Sequence, residues 1–223
     1  MSYLAEHFKK IDPLDFDEVF AEIENTFDIK FKDEDLPKVN SFNDLSKLTI
    51  SYLNIPQIDS CTSQQAFYKF RRAYLLTQNR SQEIKPSSLL KELFPKQNRR
   101  EQIKSIEHEL GFKLNMLQPP AWVSLSLLGI FVLSCILLFD KKFYGVSGIL
   151  MSIFGFYFAF KFGNTLKFHY VSDLITFMLQ ENYLLCRSSK SYNPKEIEKL
   201  IMQIFIENLD LDSSKFDSNT AFS

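Results

Sequence analysis

Residues 121–139 read AWVSLSLLGIFVLSCILLF and residues 143–160 read FYGVSGILMSIFGFYFAF; neither run carries a charge, and only Asp140, Lys141 and Lys142 part them. At about 1.5 Å per helical residue, each run reaches roughly 27 to 29 Å, close to the hydrocarbon thickness of a bilayer. A long helix in a soluble core keeps a polar stripe where it meets water. Here only isolated serines interrupt the apolar surface. The pair is therefore expected to form a transmembrane helical hairpin, and a hairpin buried in a soluble core is the weaker placement. Crossing and re-entry both remain open. Gly145, Gly148, Ser152 and Gly155 give the second helix small positions where a partner backbone can approach.

Working outward, Arg99, Arg100, Lys104 and Lys113 precede the hairpin and Lys161 and Lys167 follow it, against Lys141 and Lys142 in the turn. The excess of basic residues on the flanks predicts both termini on the cytoplasmic side, here of a bacterial inner membrane. Pro119 and Pro120 break the chain before the first run. Trp122 and Tyr144 stand near opposite boundaries, as amphipathic aromatics do. The N-terminus lacks the basic and apolar regions of a signal peptide and reads as the start of a cytosolic protein.

Charge is distributed in blocks. Residues 1–60 hold 6 basic and 13 acidic side chains, whereas residues 61–120 hold 11 and 5, so the overall charge of −1 conceals an acidic head and a basic neck. Within it, the patch of Lys96, Arg99, Arg100 and Lys104 is short, has no interleaved aromatics and is diluted by Glu92 and Glu101, which argues against nucleic acid as a partner. Beside a bilayer, Lys96, Arg99, Arg100 and Lys104 are instead expected to meet anionic lipid head groups.

The soluble stretches read as helices almost throughout. Phe16, Val19, Phe20, Ile23 and Phe27 recur at steps of three and four, with Asp15, Glu18 and Glu22 on a neighbouring face. Ser41 is a good N-cap for a helix over about 42–53. Further helices are expected from Cys61, over 87–94, over 96–110 with Gly111 as C-cap, from Ser172 to about Leu185, and from Pro194 to Leu209. The fold class is all-α. Four segments follow: an acidic one over 1–58, the basic neck over 59–118, the hairpin over 119–162 and C-terminal helices over 163–223.

Residues 12–53, DPLDFDEVFAEIENTFDIKFKDEDLPKVNSFNDLSKLTISYL, resemble the second, third and fourth helices of an acyl carrier protein. The segment from Lys195 through Leu209 to Ser223 resembles that fold's first helix and the loop after it. The likeness implies a permuted four-helix bundle, interrupted by the neck and hairpin. Each fragment alone would expose an apolar face, and joining them buries both. Closure within one chain or between two chains is open, as is a pair of incomplete modules, because Val171-Ser172-Asp173-Leu174 also resembles the start of the fourth helix.

The departure from the family carries a consequence. Pro13 stands where such carriers bear the serine modified by phosphopantetheine, and proline has no hydroxyl, so neither prosthetic group nor acyl-thioester chemistry is expected. The acidic second helix is the docking face in such carriers, which makes Asp15, Glu18 and Glu22 the candidate contacts for an unidentified protein partner with a basic surface.

Motifs for catalysis, metal or cofactor are not found. Cys61, Cys135 and Cys186 share no ligand spacing, and His7, His108 and His169 are isolated. No nucleophile elbow, phosphate loop or dinucleotide fingerprint occurs. The expectation is a non-catalytic, membrane-anchored adaptor, with a homo-oligomer allowed. The alternative is a bacterial immunity protein that neutralises a toxin at the inner membrane.

Overall fold

The computed structural model describes residues 13–39, 41–78, 83–140, 142–187, 189–209 and 211. The chain divides into two compact units: residues 1–72 with 175–223, and residues 73–174. By sequence the first unit holds 14 basic against 20 acidic residues and the second 12 against 7. The acidic and basic halves of the composition thus belong to separate bodies. The boundaries differ from the four expected segments, because the neck is divided after Arg72 and the C-terminal segment after Leu174.

The first unit is built from both ends of the chain. Helix α1 (Pro13–Phe27) starts on proline, whose fixed φ and missing N–H suit the first helical position. It ends where Asp28 adopts φ +50°, a left-handed turn that a short polar side chain tolerates. The carboxylate of Glu24 secures the exit by accepting from the backbone N–H of Phe31 at 2.7 Å and from Lys30 Nζ at 2.5 Å. A 3-10 turn over Leu36–Lys38 follows. Helix α2 (Phe42–Tyr52) has Ser41 as N-cap, its hydroxyl accepting from Asp44 N at 3.2 Å, as expected. At the other end, Asn193 caps α9 (Pro194–Asn208) by accepting from Lys195 N at 3.2 Å.

These three helices share one core. Val19, Ile23 and Phe27 of α1, Phe42 and Leu45 of α2, and Ile197, Ile201, Ile204 and Phe205 of α9 are all fully buried in it. The rings of Phe42 and Phe205 meet edge to face with centroids 4.8 Å apart, a favoured quadrupole geometry. The two ends therefore close on each other within one chain. Helix α3 (Thr62–Gln78) begins in this unit, and α8 (Val171–Cys186) ends in it after a break at Asn182, where φ −149° and ψ 50° leave the helical region.

The second unit contains α4 (Leu90–Leu93), α5 (Arg99–Leu110), α6 (Ala121–Asp140) and α7 (Lys142–Phe162). The helix expected over 87–94 is a single turn, because residues before it run extended against the start of α8. Leu90 N donates to His169 O at 2.9 Å and Val171 N to Ser88 O at 3.0 Å, while Pro95 stops the turn. Gly111 closes α5 at φ +80°, its N–H reaching Glu107 O at 2.9 Å. Strands β1 (Leu117–Gln118) and β2 (Thr165–Leu166), absent from the sequence reading, pair antiparallel directly before α6 and after α7.

Helices α6 and α7 are both long and apolar enough to cross a membrane, yet only 6% and 11% of their apolar windows are buried. A soluble core hairpin would be mostly covered by its own chain. Along their shared seam Gly145 and Ser152 are buried, and a Cβ placed on Gly145 would stand 2.7 Å from the backbone N of Leu138. Small residues thus let the two backbones approach.

Candidate functional site

The first unit carries a groove of about 330 Å³ lined by Glu18, Ala21, Glu22, Asn25, Thr26, Gln180 and Glu181. Its α1 wall follows from helical spacing, since residues 18, 21, 22 and 25 fall on one stripe. Its other wall is formed by Gln180 and Glu181 of α8, just before the break at Asn182. Around that break, side chains supply donors to backbone carbonyls: Thr26 Oγ1 donates to Gln180 O at 2.5 Å, and the Cys186 thiol to Met178 O at 3.4 Å. Burial pushes the Cys186 thiol up to about 12, despite the opposing charge of Lys69, so it remains protonated as a donor.

Four carboxylates converge here. Glu22 Oε2 accepts from Asn208 Nδ2 at 2.5 Å, and Glu207 accepts from Gln180 Nε2 at 2.7 Å and from Gln203 Nε2 at 3.0 Å. Burial raises the pKa of Glu22 above the ordinary carboxylate range; the Asn208 hydrogen bond opposes this, while Glu181, Glu207 and Glu18 add to it by like-charge repulsion. Among the described residues none of the four has a cationic partner. The arrangement is a negative surface in which neutral amides hydrogen-bond two of the carboxylates, Glu22 and Glu207.

Of the residues expected to bind a partner, Glu18 and Glu22 line this groove. Asp15 belongs to α1, but its side chain lies outside the described ones. Pro13 is the first residue of that helix. Glu181, which lines the groove, and Glu207, whose charge acts on Glu22 beside it, were missed because they lie more than 150 residues from α1 along the chain. A charge stripe on one helix does not disclose which distant helix faces it.

The expected lipid contacts separate into two kinds. Lys96 and Lys104 are exposed and Arg100 half-buried, whereas Arg99 is instead 5% exposed. Arg99 gives Nε to Phe94 O at 2.9 Å and Nη1 to Asn164 O at 2.6 Å, and desolvation lowers its pKa. It positions backbone in the second unit and does not project from it.

A further polar cluster was not foreseen. The buried Arg187 donates Nε to Ser191 Oγ at 2.9 Å and Nη2 to Ile58 O at 2.9 Å and Ser60 Oγ at 2.8 Å. Its Nη1 reaches Thr62 Oγ1 and, at 3.3 Å, Glu196 Oε2. Tyr183 Oη donates to the same carboxylate at 3.1 Å. Every guanidinium donor finds an acceptor, so this network joins the 58–62 segment to α8 and α9 as a structural latch. Its one signal in the sequence is a lone arginine at the end of an apolar helix. Among the described residues no group of His, Cys, Asp and Glu is placed to hold a metal ion.

Comparison of the chain with protein-family models, with curated proteins and with solved structures gives no match, so the likeness to acyl carrier proteins rests on the residues and helix order quoted above.

Proposed function

We propose that this chain is a non-catalytic adaptor of the bacterial inner membrane. The α6–α7 hairpin anchors it in lipid with both termini on the cytoplasmic side, and the carrier-like first unit receives a basic protein partner in its acidic groove. The observation that carries this reading is the juxtaposition of Glu18, Glu22, Glu181 and Glu207 without a cation among the described residues. Like charges gathered around a partly desolvated carboxylate weaken the isolated fold, and a cationic surface relieves that repulsion while it docks.

Helix order supports the carrier likeness. Read from α9 through α1 and the 3-10 turn to α2, the elements follow the order of the family's four helices, and α9 packs against both α1 and α2. With Pro13 in the modified position, the unit keeps the docking face of a carrier and lacks its prosthetic group.

The test is recovery of partners from membranes in mild detergent, comparing the natural chain with Glu18→Lys/Glu181→Lys. Both side chains are exposed, so the reversal leaves the core untouched. Loss of a specifically co-purifying protein is expected, while Glu101→Lys in the second unit keeps it. Equal recovery from both groove and control variants would remove the groove from the function.

A further inference from the structure

Three structural ties bring one set of side chains to the base of the hairpin. Strands β1 and β2 hold its two ends together, Leu117 facing Leu166 and Gln118 facing Thr165, with Lys167 N donating to Met116 O at 2.9 Å. Helix α5 is fastened to the same place, because Arg99 bonds Asn164 O and Arg100 bonds Lys161 O in the last turn of α7. Asn164 Nδ2 returns a bond to Lys96 O at 3.0 Å. The capping of a helix C-terminus by an arginine is electrostatically favourable, and here it also fixes where that cation sits.

Aromatic rings fix the charges further. The Arg100 guanidinium lies 5.6 Å from the centroid of Phe162 and Lys161 Nζ 5.5 Å from that of Tyr157, both rings belonging to the last two turns of α7. Lys167 Nζ stands 5.3 Å from Phe168. A cation leaning on a ring at the end of an apolar helix keeps its stem against hydrocarbon and its head toward water. Trp122, 70% exposed in the first turn of α6, marks the same end. Among the described residues neither Arg100 nor Lys161 forms an ion pair with a carboxylate.

We propose that Arg100, Lys161 and Lys167, with Lys96 beside them, form a collar that binds the phosphates of anionic lipid head groups where the hairpin leaves the bilayer. The proposal rests on the hairpin lying in lipid and is independent of the acidic groove. It differs from the sequence expectation in its members: Arg99 is withdrawn into the fold, Lys104 is not among them, and Lys161 and Lys167 enter. The collar favours the anionic cytoplasmic leaflet and gives the anchor a lipid preference beyond what apolar length supplies.

Trp122 is the only tryptophan, so it reports its own lipid neighbours. The full chain is reconstituted in phosphatidylcholine vesicles that contain a rising fraction of acyl-brominated phosphatidylglycerol or of acyl-brominated phosphatidylcholine. The expected result is a phosphatidylglycerol preference of roughly threefold or more in relative binding, since each basic residue near an anionic surface strengthens attraction severalfold. Lys161→Gln/Lys167→Gln, which leaves the Arg100 bond intact, reduces the preference, and adding Arg100→Gln brings it toward unity. Lys85→Gln/Lys91→Gln, elsewhere in this unit, retains it. Equal quenching by both lipids in the natural chain, or a preference untouched by the double lysine variant, would overturn the collar. Absence of quenching by either lipid would overturn the placement of the hairpin in the bilayer, and the collar with it.

Discussion

Two apolar bodies in this molecule meet opposite fates. In the first unit, Val19, Phe42, Ile201 and Phe205 find partners from the far end of the chain and lose all contact with solvent. In the second, Leu125, Leu133, Phe154 and Phe160 sit on helices that touch chiefly each other, and their outer faces remain uncovered. Hydrophobicity alone does not separate these cases. What separates them is whether the chain brings a complementary face: the amphipathic helices do, with polar residues left outside, whereas α6 and α7 are apolar on every side and look to their surroundings for cover.

The sharpest way to break this contrast is one substitution made twice. Phe205 is 0% exposed and Phe160 is 62% exposed. Phe205→Ala is expected to destabilise the first unit by about 3–5 kcal/mol through lost transfer energy and a cavity against Phe42. Phe160→Ala, in detergent or bilayer, is expected to change stability by no more than about 0.5 kcal/mol, as substitutions on an uncovered face do. Hydrogen exchange of α9 and α7 amides reads both effects in the same sample. A large loss for Phe160→Ala would mean that its face is covered within the molecule.

A smaller effect tests the seam inside the hairpin. Gly145→Leu forces a side chain toward the Leu138 backbone, and overpacking of this kind costs about 1–3 kcal/mol. Titration with sodium dodecyl sulfate, followed by Trp122 fluorescence, should show earlier separation of α6 from α7 while the first unit unfolds as before. Gly129→Leu is the matched control, because nothing lies within 4 Å of a Cβ built there. Equal effects at both glycines would make the loss one of helix propensity, not of packing.

The legible part of the fold was its local part. Ser41, Asn193 and Gly111 declare helix ends, and the step of three and four residues in α1 and α9 declares their buried faces, because each signal involves neighbours in sequence. The neck was less legible. An expected helix shrank to the single turn of α4, since the backbone of residues 86–89 pairs with the start of α8, and no local pattern announces that partner. The roles of arginines were hidden for the same reason: Arg99 and Arg100 are adjacent and chemically alike, yet Arg99 is buried against Phe94 O and Asn164 O, whereas Arg100 stays half-buried, bonding Lys161 O and leaning on Phe162. Half of the groove was visible as a charge stripe on α1; its other half, Gln180 and Glu181, comes from a helix more than 150 residues further along the chain, which no local pattern pairs with α1.

The smallest expected effect bears most directly on function, and its sign depends on pH. In the folded chain Glu22 holds its proton to higher pH than in the unfolded one, through burial and the proximity of Glu181, Glu207 and Glu18, with Asn208 opposing. The folded state therefore binds more protons in the window just above the ordinary carboxylate range, and stability falls as pH rises through it. Glu22→Gln removes the charge and keeps an oxygen to accept from Asn208. At pH 7 the variant should be more stable by about 0.3–0.5 kcal/mol, the scale of one like-charge pair four residues apart on a helix. By about pH 4, where carboxylates begin to protonate in the unfolded chain as well, the difference should shrink toward zero. Denaturation of the first unit, followed by exchange of α9 amides at the two pH values, measures both numbers. A variant less stable than the natural chain at pH 7 would mean that the charged hydrogen bond to Asn208 outweighs burial and repulsion together. In the proposed complex a basic partner would reverse the balance, because its cations favour the ionised form of Glu22. The same substitution that steadies the free chain should then weaken the complex, which is the behaviour expected of a residue kept for docking at some loss of stability.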